Sequence, residues 1–381
     1  MDALSLLDDL ARQDFETPCY VFDPTVVLAN YRRLKSALGT RLVVSIKSNP
    51  DLSLLLRCIH EFTDGIEFAS VGELDLSIGR TTAPKFVNNP SMDAAFLRGA
   101  IAAKATILVD GLDHAERVIK AKGARPVAPL VLRLNAAALL EGARMHGKPP
   151  HRDHFGMDVS TACEAVEILT GARCEVSGVH IFGGSGQFSA RHLQMLEALP
   201  PALAAIESRL GAPLAFLNLG GGFDSDWESS EVDFADYRRR LEAFRRYDLA
   251  HESGRAIFQS AGWFMTRVNS VKRLNGTAYA VCDGGISQAF LLCQTERFAK
   301  HRQAPSIVRA NTTAEPETFD GGIAFVGSSC SSADVIGALP AGSDLPNVGD
   351  LCCFDQCGAY SHTYTPTGFL AAKVARVYIR S

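Results

Sequence analysis

The sequence predicts an α/β chain built as a (β/α)8 TIM-type barrel followed by an all-β domain, and three observations carry that prediction. Eight short apolar, β-prone runs recur between residues 42 and 251. The segments between them place apolar residues three and four apart, as amphipathic helices do. After about residue 265 the texture changes to probable strands without intervening helices. A doubly wound parallel sheet is the main rival for the first part.

In chain order the barrel strands are expected at Leu42 to Ile46, Gly65 to Ala69, Lys85 to Val87, Ala105 to Val109, Leu130 to Leu134, Ser177 to Phe182, Ala215 to Leu219 and Asp248 to His251. Helical spacing is clearest over Ser53 to Phe62, Ala94 to Ala103, His114 to Lys122 and Ala190 to Leu210. Later strands are expected at Arg267 to Leu274, Ala278 to Cys282, Ile307 to Ala310, Ile323 to Val326, Asp350 to Phe354 and Lys373 to Ile379. Pro18 to Phe22 is also strand-like and is expected to join that later sheet. The domains are thus 28–265 for the barrel, and 1–27 with 266–381 for the β domain. Residues Ala136 to Asp153 make a long connection after the fifth strand, a length common in functional or mobile loops.

At 381 residues, with 47% hydrophobic against 21% charged, the chain can bury a large core and is too long for one ordinary domain. Its 38 Lys and Arg against 42 Asp and Glu leave a formal charge of -4, which argues against a nucleic-acid footprint or a polybasic membrane anchor. A small-molecule partner is expected instead. No apolar run reaches the ~18–20 residues that span a bilayer. The start, Met1 to Leu10, is acidic and amphipathic rather than signal-like, so a cytoplasmic protein is expected. The ten cysteines are accordingly read as thiols.

Barrel enzymes carry their chemistry where strands end, and here those ends are polar. The first strand ends at Lys47, the second near Glu67 and Ser70, the fifth at Arg133 and Asn135. The sixth runs into Gly183, Gly184, Ser185 and Gly186, the seventh into Gly220, Gly221 and Gly222, and the eighth into Glu252, Ser253, Gly254 and Arg255. Glycine clusters let backbone N–H groups cradle an anion, and barrel phosphate sites favour the last strands. Alone, three glycines are more often a tight turn, and a strand-ending lysine often only snorkels to the mouth. Together, a desolvated amine facing a phosphate cradle suggests pyridoxal phosphate, whose Schiff base needs such a nucleophile.

At this point the sequence resembles the group IV decarboxylases, the fold-type III pyridoxal-phosphate enzymes with an alanine racemase-like fold that act on ornithine, diaminopimelate, arginine and related substrates. The resemblance covers nearly the whole chain. It rests on Val44 to Asn49, Glu67 to Leu74, His154 to Met157, Gly178 to Ser185, Gly220 to Phe223, Glu252 to Arg255, Ser329 to Ser331 with Asp334, and Gly358 to Tyr360. It implies that Lys47 holds the cofactor and that Glu252 contacts the pyridine nitrogen. It implies phosphate contacts from Ser185, Gly220, Gly221, Gly222, Arg255 and Tyr360. Cys330 would come from the partner subunit of a homodimer and return a proton after carbon dioxide leaves. Arg133, His180, Ser331 and Asp334 are the candidates for substrate binding.

Three departures from the family pattern bear on the substrate. Phe182 stands where many relatives stack a histidine on the cofactor, so stacking survives but hydrogen bonding does not. His180 shares the barrel-facing side with Phe182 by alternation, and either reaches substrate or is a core histidine. Ser253 replaces a proline, with both flanking charges retained. Most informative is Ser331, where decarboxylases of basic amino acids and diaminopimelate carry an acid. A buried ammonium without a carboxylate is costly, so an acylated, neutral or anionic distal group is expected. Arg144, His151, Arg152, His154, Arg297, His301 and Arg302 are candidate cations for it. The pattern looks most similar to siderophore-pathway members that decarboxylate a citryl-linked diamino acid or serine. No metal is expected: neither His151 to His154 nor Cys352, Cys353 and Cys357 has a second ligand pair at zinc spacing. The alternatives are a diaminopimelate- or ornithine-type amino-acid decarboxylase, an amino-acid racemase or epimerase, which the Cys330-centred motif fits less well than decarboxylation, and a non-catalytic regulatory homologue, which retention of Lys47, Glu252, Cys330 and Tyr360 together disfavours.

Overall fold

The computed structural model describes residues 15–142, 152–299, 302–310 and 317–380. It divides into two compact units, one of residues 28–257 and one that joins the described residues before 28 to those from 258 onward. The division falls between Ile257 and Phe258 rather than at 265/266, because the strand that opens the second unit already begins at Gly262.

Strand β1, Cys19–Phe22, belongs to the second unit. The first unit is a closed parallel barrel of β2 (Arg41–Ser45), β3 (Ile66–Phe68), β4 (Lys85–Val87), β5 (Thr106–Val109), β6 (Leu130–Leu134), β7 (Val176–Ile181), β8 (Phe216–Asn218) and β9 (Asp248–Ser253). Pairing of β2 with β9, Val43 opposite Glu252, closes the ring and rules out the doubly wound sheet. Helices follow the strands, and several start on a side-chain cap: Asp51 accepts from Leu54 N–H, Ser70 from Glu73, Asp93 from Phe96 and Asp158 from Thr161. Each cap satisfies an otherwise orphaned amide at a helix start. The long connection expected after the fifth strand begins instead as a helix, Ala136–Gly142.

Inside the barrel, alternation sorts the side chains into layers. Val43, Phe86, Leu108, Val131, Phe216 and Ala250 form a buried apolar floor, with the Phe86 and Phe216 rings stacked 5.6 Å apart. The other two strands contribute Gly65 and Gly178 at this level. A methyl group on Gly65 would meet the Phe86 ring, and one on Gly178 would clash with the Phe216 carbonyl, so two glycines make room for two phenyl rings. Two residues further along every strand the inward position is polar: Ser45, Glu67, Asn88, Asp110, Arg133, His180, Asn218 and Glu252. This belt of eight, seated on a dry floor, is the base of the site.

The second unit contains an eight-stranded sheet. Its long strand β10 (Gly262–Leu274) pairs with β11 (Thr277–Cys282); β12 is Ser306–Val308. Beyond the short β13 (Thr318–Phe319), β14 (Ile323–Val326) pairs with β15 (Val335–Leu339). After β16 (Ser343–Asp344) come β17 (Leu351–Phe354), which pairs with β10, and β18 (Arg376–Ile379). β1 pairs antiparallel with β10 and parallel with β18, so the segment before the barrel does join this sheet. One helix and the strands β13, β15 and β16 were not expected from the sequence. A helix, Phe290–Ala299, interrupts the strands, burying Leu292 and Cys293. β15 escapes an alternation search because Gly337 stands where a side chain would meet the Phe354 ring.

On the barrel's outer face, burial pushes His251 down to about 3; its Nδ1 and Nε2 lie 2.8 Å from Thr40 Oγ1 and Tyr237 Oη. Burial likewise lowers His114 to about 4, against an ordinary 6.5. Both folded values are depressed, so the unfolded chain binds more protons below 6.5 and stability is lost as pH falls from there toward 3–4. Chemical denaturation should show each histidine removing about 2 kcal/mol between neutral pH and pH ~5. The His251→Gln variant should lose its share of that dependence; an unchanged slope would refute the assignment.

Candidate active site

The polar belt is held by hydrogen bonds that cross between strands. Glu67 is fully buried at the end of β3 and takes Lys47 Nζ at 2.8 Å and Ser45 Oγ at 2.7 Å on one oxygen, and Asn88 Nδ2 at 2.9 Å on the other. Burial alone would raise its pKa, but the Lys47 charge and these donors outweigh it and hold the carboxyl far below the usual range. Asn88 Oδ1 in turn accepts from Arg133 Nη1 at 3.1 Å, and the same nitrogen bonds Asp110 Oδ1 at 2.9 Å. Asp110 also accepts the Gly156 amide at 3.1 Å, while the Arg133 guanidinium lies 4.4 Å from the Phe155 ring centroid. The Phe155-Gly156-Met157 segment is therefore docked on the barrel by a buried ion pair.

Lys47 sits in the single 3-10 turn Ile46–Ser48, directly after β2, with its side chain 42% exposed. That turn packs against Gly254, where a Cβ would press on Ser48 Oγ and Ser45 O. On the neighbouring strand β9, Glu252 accepts from Asn218 Nδ2 at 2.7 Å on one oxygen, and His180 Nε2 lies 3.3 Å from the other. Phe182, half-buried, stands one layer above His180. The glycine loops interlock. A Cβ on Gly220 would clash with the Ile181 carbonyl, on Gly221 with that of Glu252 and on Gly222 with that of Gly184, and Gly220 and Gly222 have φ of 66° and 94°. Only glycine allows this approach, which gathers backbone from the ends of β7, β8 and β9 beside the exposed Ser185 and half-buried Arg255.

The donor set suits a phosphorylated aldehyde with a basic ring nitrogen. Lys47 offers the amine, Glu252 an acceptor with lone pairs beyond its two donors, and the glycine loops with Ser185 and Arg255 an anion cradle. A metal ion could also be reached by Glu67, His180 and Glu252, whose ligand atoms lie within 4.8 Å of one another. Glu67 already spends both oxygens on protein donors, including the Lys47 ammonium.

In the second unit, Cys330 is the exposed one of the ten cysteines. Its loop is organised by Asp334, which is 3% exposed and accepts from the amides of Ile286 at 2.7 Å and Ser329 at 3.1 Å. A Cβ on Gly285 or Gly327 would collide with that carboxylate. Asp334 was a substrate-binding candidate by sequence; its oxygens are instead committed to the loop's backbone. Ser331 Oγ accepts the Ala333 amide at 3.2 Å. Tyr360 follows a glycine turn and holds a left-handed φ of 63°, strained for a bulky residue.

Of the candidate cations, Arg144, His151 and His301 and the Arg297 side chain lie outside the described residues. Arg152 pairs with Glu141, His154 packs on Phe155, and Arg302 Nη1 bonds Val335 O. Burial pushes the thiols of Cys353 up to about 12 and of Cys357 higher still. Sequence reasoning passed over Ser45, Asn88, Asp110 and Asn218; counting two residues on from each inward apolar position of a strand would have found them.

Comparison with known proteins gives consistent results. Residues 25–265 match the family model described as pyridoxal-dependent decarboxylase, pyridoxal binding domain. A diaminopimelate decarboxylase of Deinococcus radiodurans is 28% identical, covering 96% of this chain and 91% of its own. A Staphylococcus aureus 2-[(L-alanin-3-ylcarbamoyl)methyl]-2-hydroxybutanedioate decarboxylase is 22% identical over 96% and 94%. Among solved structures, the Paramecium bursaria Chlorella virus arginine decarboxylase superposes with a TM-score of 0.80 at 19% identity, covering 99% of both chains.

Titration of the native protein with a thiol reagent should give one fast-reacting equivalent that Cys330→Ser removes. Asp334→Asn should lower the unfolding free energy by about 1.5–3 kcal/mol, the scale of hydrogen bonds to a charged acceptor, and change the Cys330 labelling rate. Labelling that Asp334→Asn leaves untouched would show that the loop does not depend on it.

Proposed function

The chain belongs to the pyridoxal-dependent decarboxylases, and from that premise we propose that it removes the α-carboxylate of an L-amino acid whose side chain ends in a modified, anionic group. A citryl-diamino acid or citryl-serine, of the kind formed in siderophore pathways, is the substrate class meant. The observation that carries this reading is Ser331, a hydroxyl directly after Cys330 where a free distal ammonium would require a carboxylate. The Staphylococcus aureus relative supports it, since the substrate in its name couples an alanine unit through an amide to a hydroxybutanedioate.

Pyridoxal phosphate, when bound, supplies an electron sink for the bond to the departing carboxylate. Lys47 would hold the cofactor covalently through its Nζ and would yield that place to the substrate amine. Its pairing with Glu67 keeps the amine at the mouth of the barrel when it is displaced. Glu252, held between Asn218 and His180, would face the ring nitrogen and keep a proton there. Phe182 packs on the ring and excludes water from one face. Ser185, Gly220, Gly221, Gly222, Arg255 and Tyr360 are assigned to the phosphate. Cys330, contributed by a second copy of the chain, returns a proton to the α-carbon from its Sγ. A homodimer in the cytoplasm is part of this proposal; the exposed apolar side chains of Tyr364, Phe369, Leu370 and Val374 support a partner surface. Among the described residues no helix is long and apolar enough to cross a membrane.

A second reading, decarboxylation of free diaminopimelate, is favoured by the 28% identity to the Deinococcus radiodurans enzyme. Carbon dioxide release decides between them, measured on ornithine, lysine, diaminopimelate, diaminopropionate, their citryl derivatives and citryl-serine. A citryl compound should be preferred by about 100-fold or more in kcat/KM, the scale of one unpaired buried charge at about 3–5 kcal/mol. Preference for a free basic amino acid would overturn the argument from Ser331. Lys47→Ala should abolish both release and the visible absorbance of the lysine-bound cofactor after dialysis.

A further inference from the structure

In the proposed reaction, His180 figures only as a neighbour of Glu252 in the belt, with no role of its own. His180 is 0% exposed, on the inward face of β7 and one layer below Phe182. Its Nε2 lies 3.3 Å from Glu252 Oε2, and its Nδ1 is buried without a hydrogen-bond partner. A direct contact with substrate, which the sequence left open, requires an atom that solvent can reach, and this ring has none.

What the ring does touch is the seam of the belt. One hydrogen-bonded half contains Ser45, Lys47, Glu67, Asn88, Arg133 and Asp110. The other contains Asn218 and Glu252. His180 comes close to both carboxylates: an atom of each of Glu67, His180 and Glu252 lies within 4.8 Å of the others. Two ionised carboxylates so near in a water-poor interior repel, and each turns away unless a donor holds it. A carboxylate offers only acceptors, so the Nε2 contact places an N–H there. Glu252 is then pinned from two sides, by Asn218 at 2.7 Å and His180 at 3.3 Å.

We infer that His180 is a positioning residue for the cofactor: it fixes the Glu252 carboxylate against Asn218 and separates it from Glu67, which keeps Glu252 aimed at the ring nitrogen. The inference rests on the reading that this site holds pyridoxal phosphate. It also explains how Phe182 is tolerated above it. The layer that stacks on the cofactor carries no polar atom, and the histidine function acts one layer lower, through the acid.

The test is cofactor binding rather than turnover. Apoprotein is titrated with pyridoxal phosphate by absorbance and intrinsic fluorescence, for wild type and for His180→Gln, His180→Asn and His180→Leu, with thermal melts in parallel. The glutamine amide nitrogen reaches the place of Nε2, whereas that of asparagine stops near Nδ1. Gln should therefore bind close to wild type, while Asn and Leu weaken cofactor binding about 10- to 100-fold and alter the visible band, the range for losing a hydrogen bond to a charged group. In turnover, kcat should fall more than KM rises for Asn and be restored by Gln. Equal affinity and equal spectra for Gln and Asn overturn the inference, whether or not the Leu variant folds. Failure of the wild type to bind pyridoxal phosphate overturns the underlying reading instead.

Discussion

The constraint on which the rest of the barrel depends is the burial of three carboxylates, Glu67, Asp110 and Glu252, inside a ring of strands. An ion removed from water costs several kcal/mol unless donors replace its hydration. Each acid here is answered by donors from other strands, so every donor's strand must keep its register. A one-residue slip would turn Asn88 or Asn218 to the outside and leave an acid bare. The glycines at 65, 178 and 254 follow from the same demand, since they let floor and turn pack closely enough for the belt to meet itself. The docked Phe155-Gly156 segment follows too, because Asp110 completes its coordination with the Gly156 amide.

Much of this was legible in the chain. The strands of the barrel show because buried parallel strands read as apolar runs, and Lys47, the glycine clusters and Glu252 show because they break those runs at their ends. The belt was less visible. Asn88, Asp110 and Asn218 lie 22 and 108 residues apart along the chain (110 − 88 and 218 − 110) and meet only when the barrel closes. No local pattern joins them. Asp334 entered the sequence reading through the family motif, and the packing of Gly285 and Gly327 on its carboxylate adds a brace for the loop that no local pattern reveals. The helix at Phe290–Ala299 was lost among strand-like neighbours.

The two units solve the problem of holding a reactive group in different ways. In the barrel, strands position Lys47 and Glu252 through side chains facing inward from a closed ring. In the second unit, a loop carries Cys330, and a single buried carboxylate stands in for the ring by gathering the amides of Ile286 and Ser329. Ser329 and Ser331 add side-chain acceptors for the amides of Ser331 and Ala333, and a carboxylate at 331 could accept in the same place. A change from acid to serine at position 331 can then alter the charge presented to a ligand while Asp334 keeps the loop as it is.

The apolar floor has a consequence for traffic. Phe86 and Phe216 stack over the space that Gly65 and Gly178 vacate, and the barrel is thereby corked at one end. A cork of this kind turns the polar belt's exchange with solvent toward the mouth of the barrel, where Lys47 is partly exposed and Asp110 lines an open pocket. Solvent deuterium should therefore enter the belt's buried N–H and O–H groups from one direction, and whatever seals the mouth also sets the rate at which the interior exchanges with the surroundings.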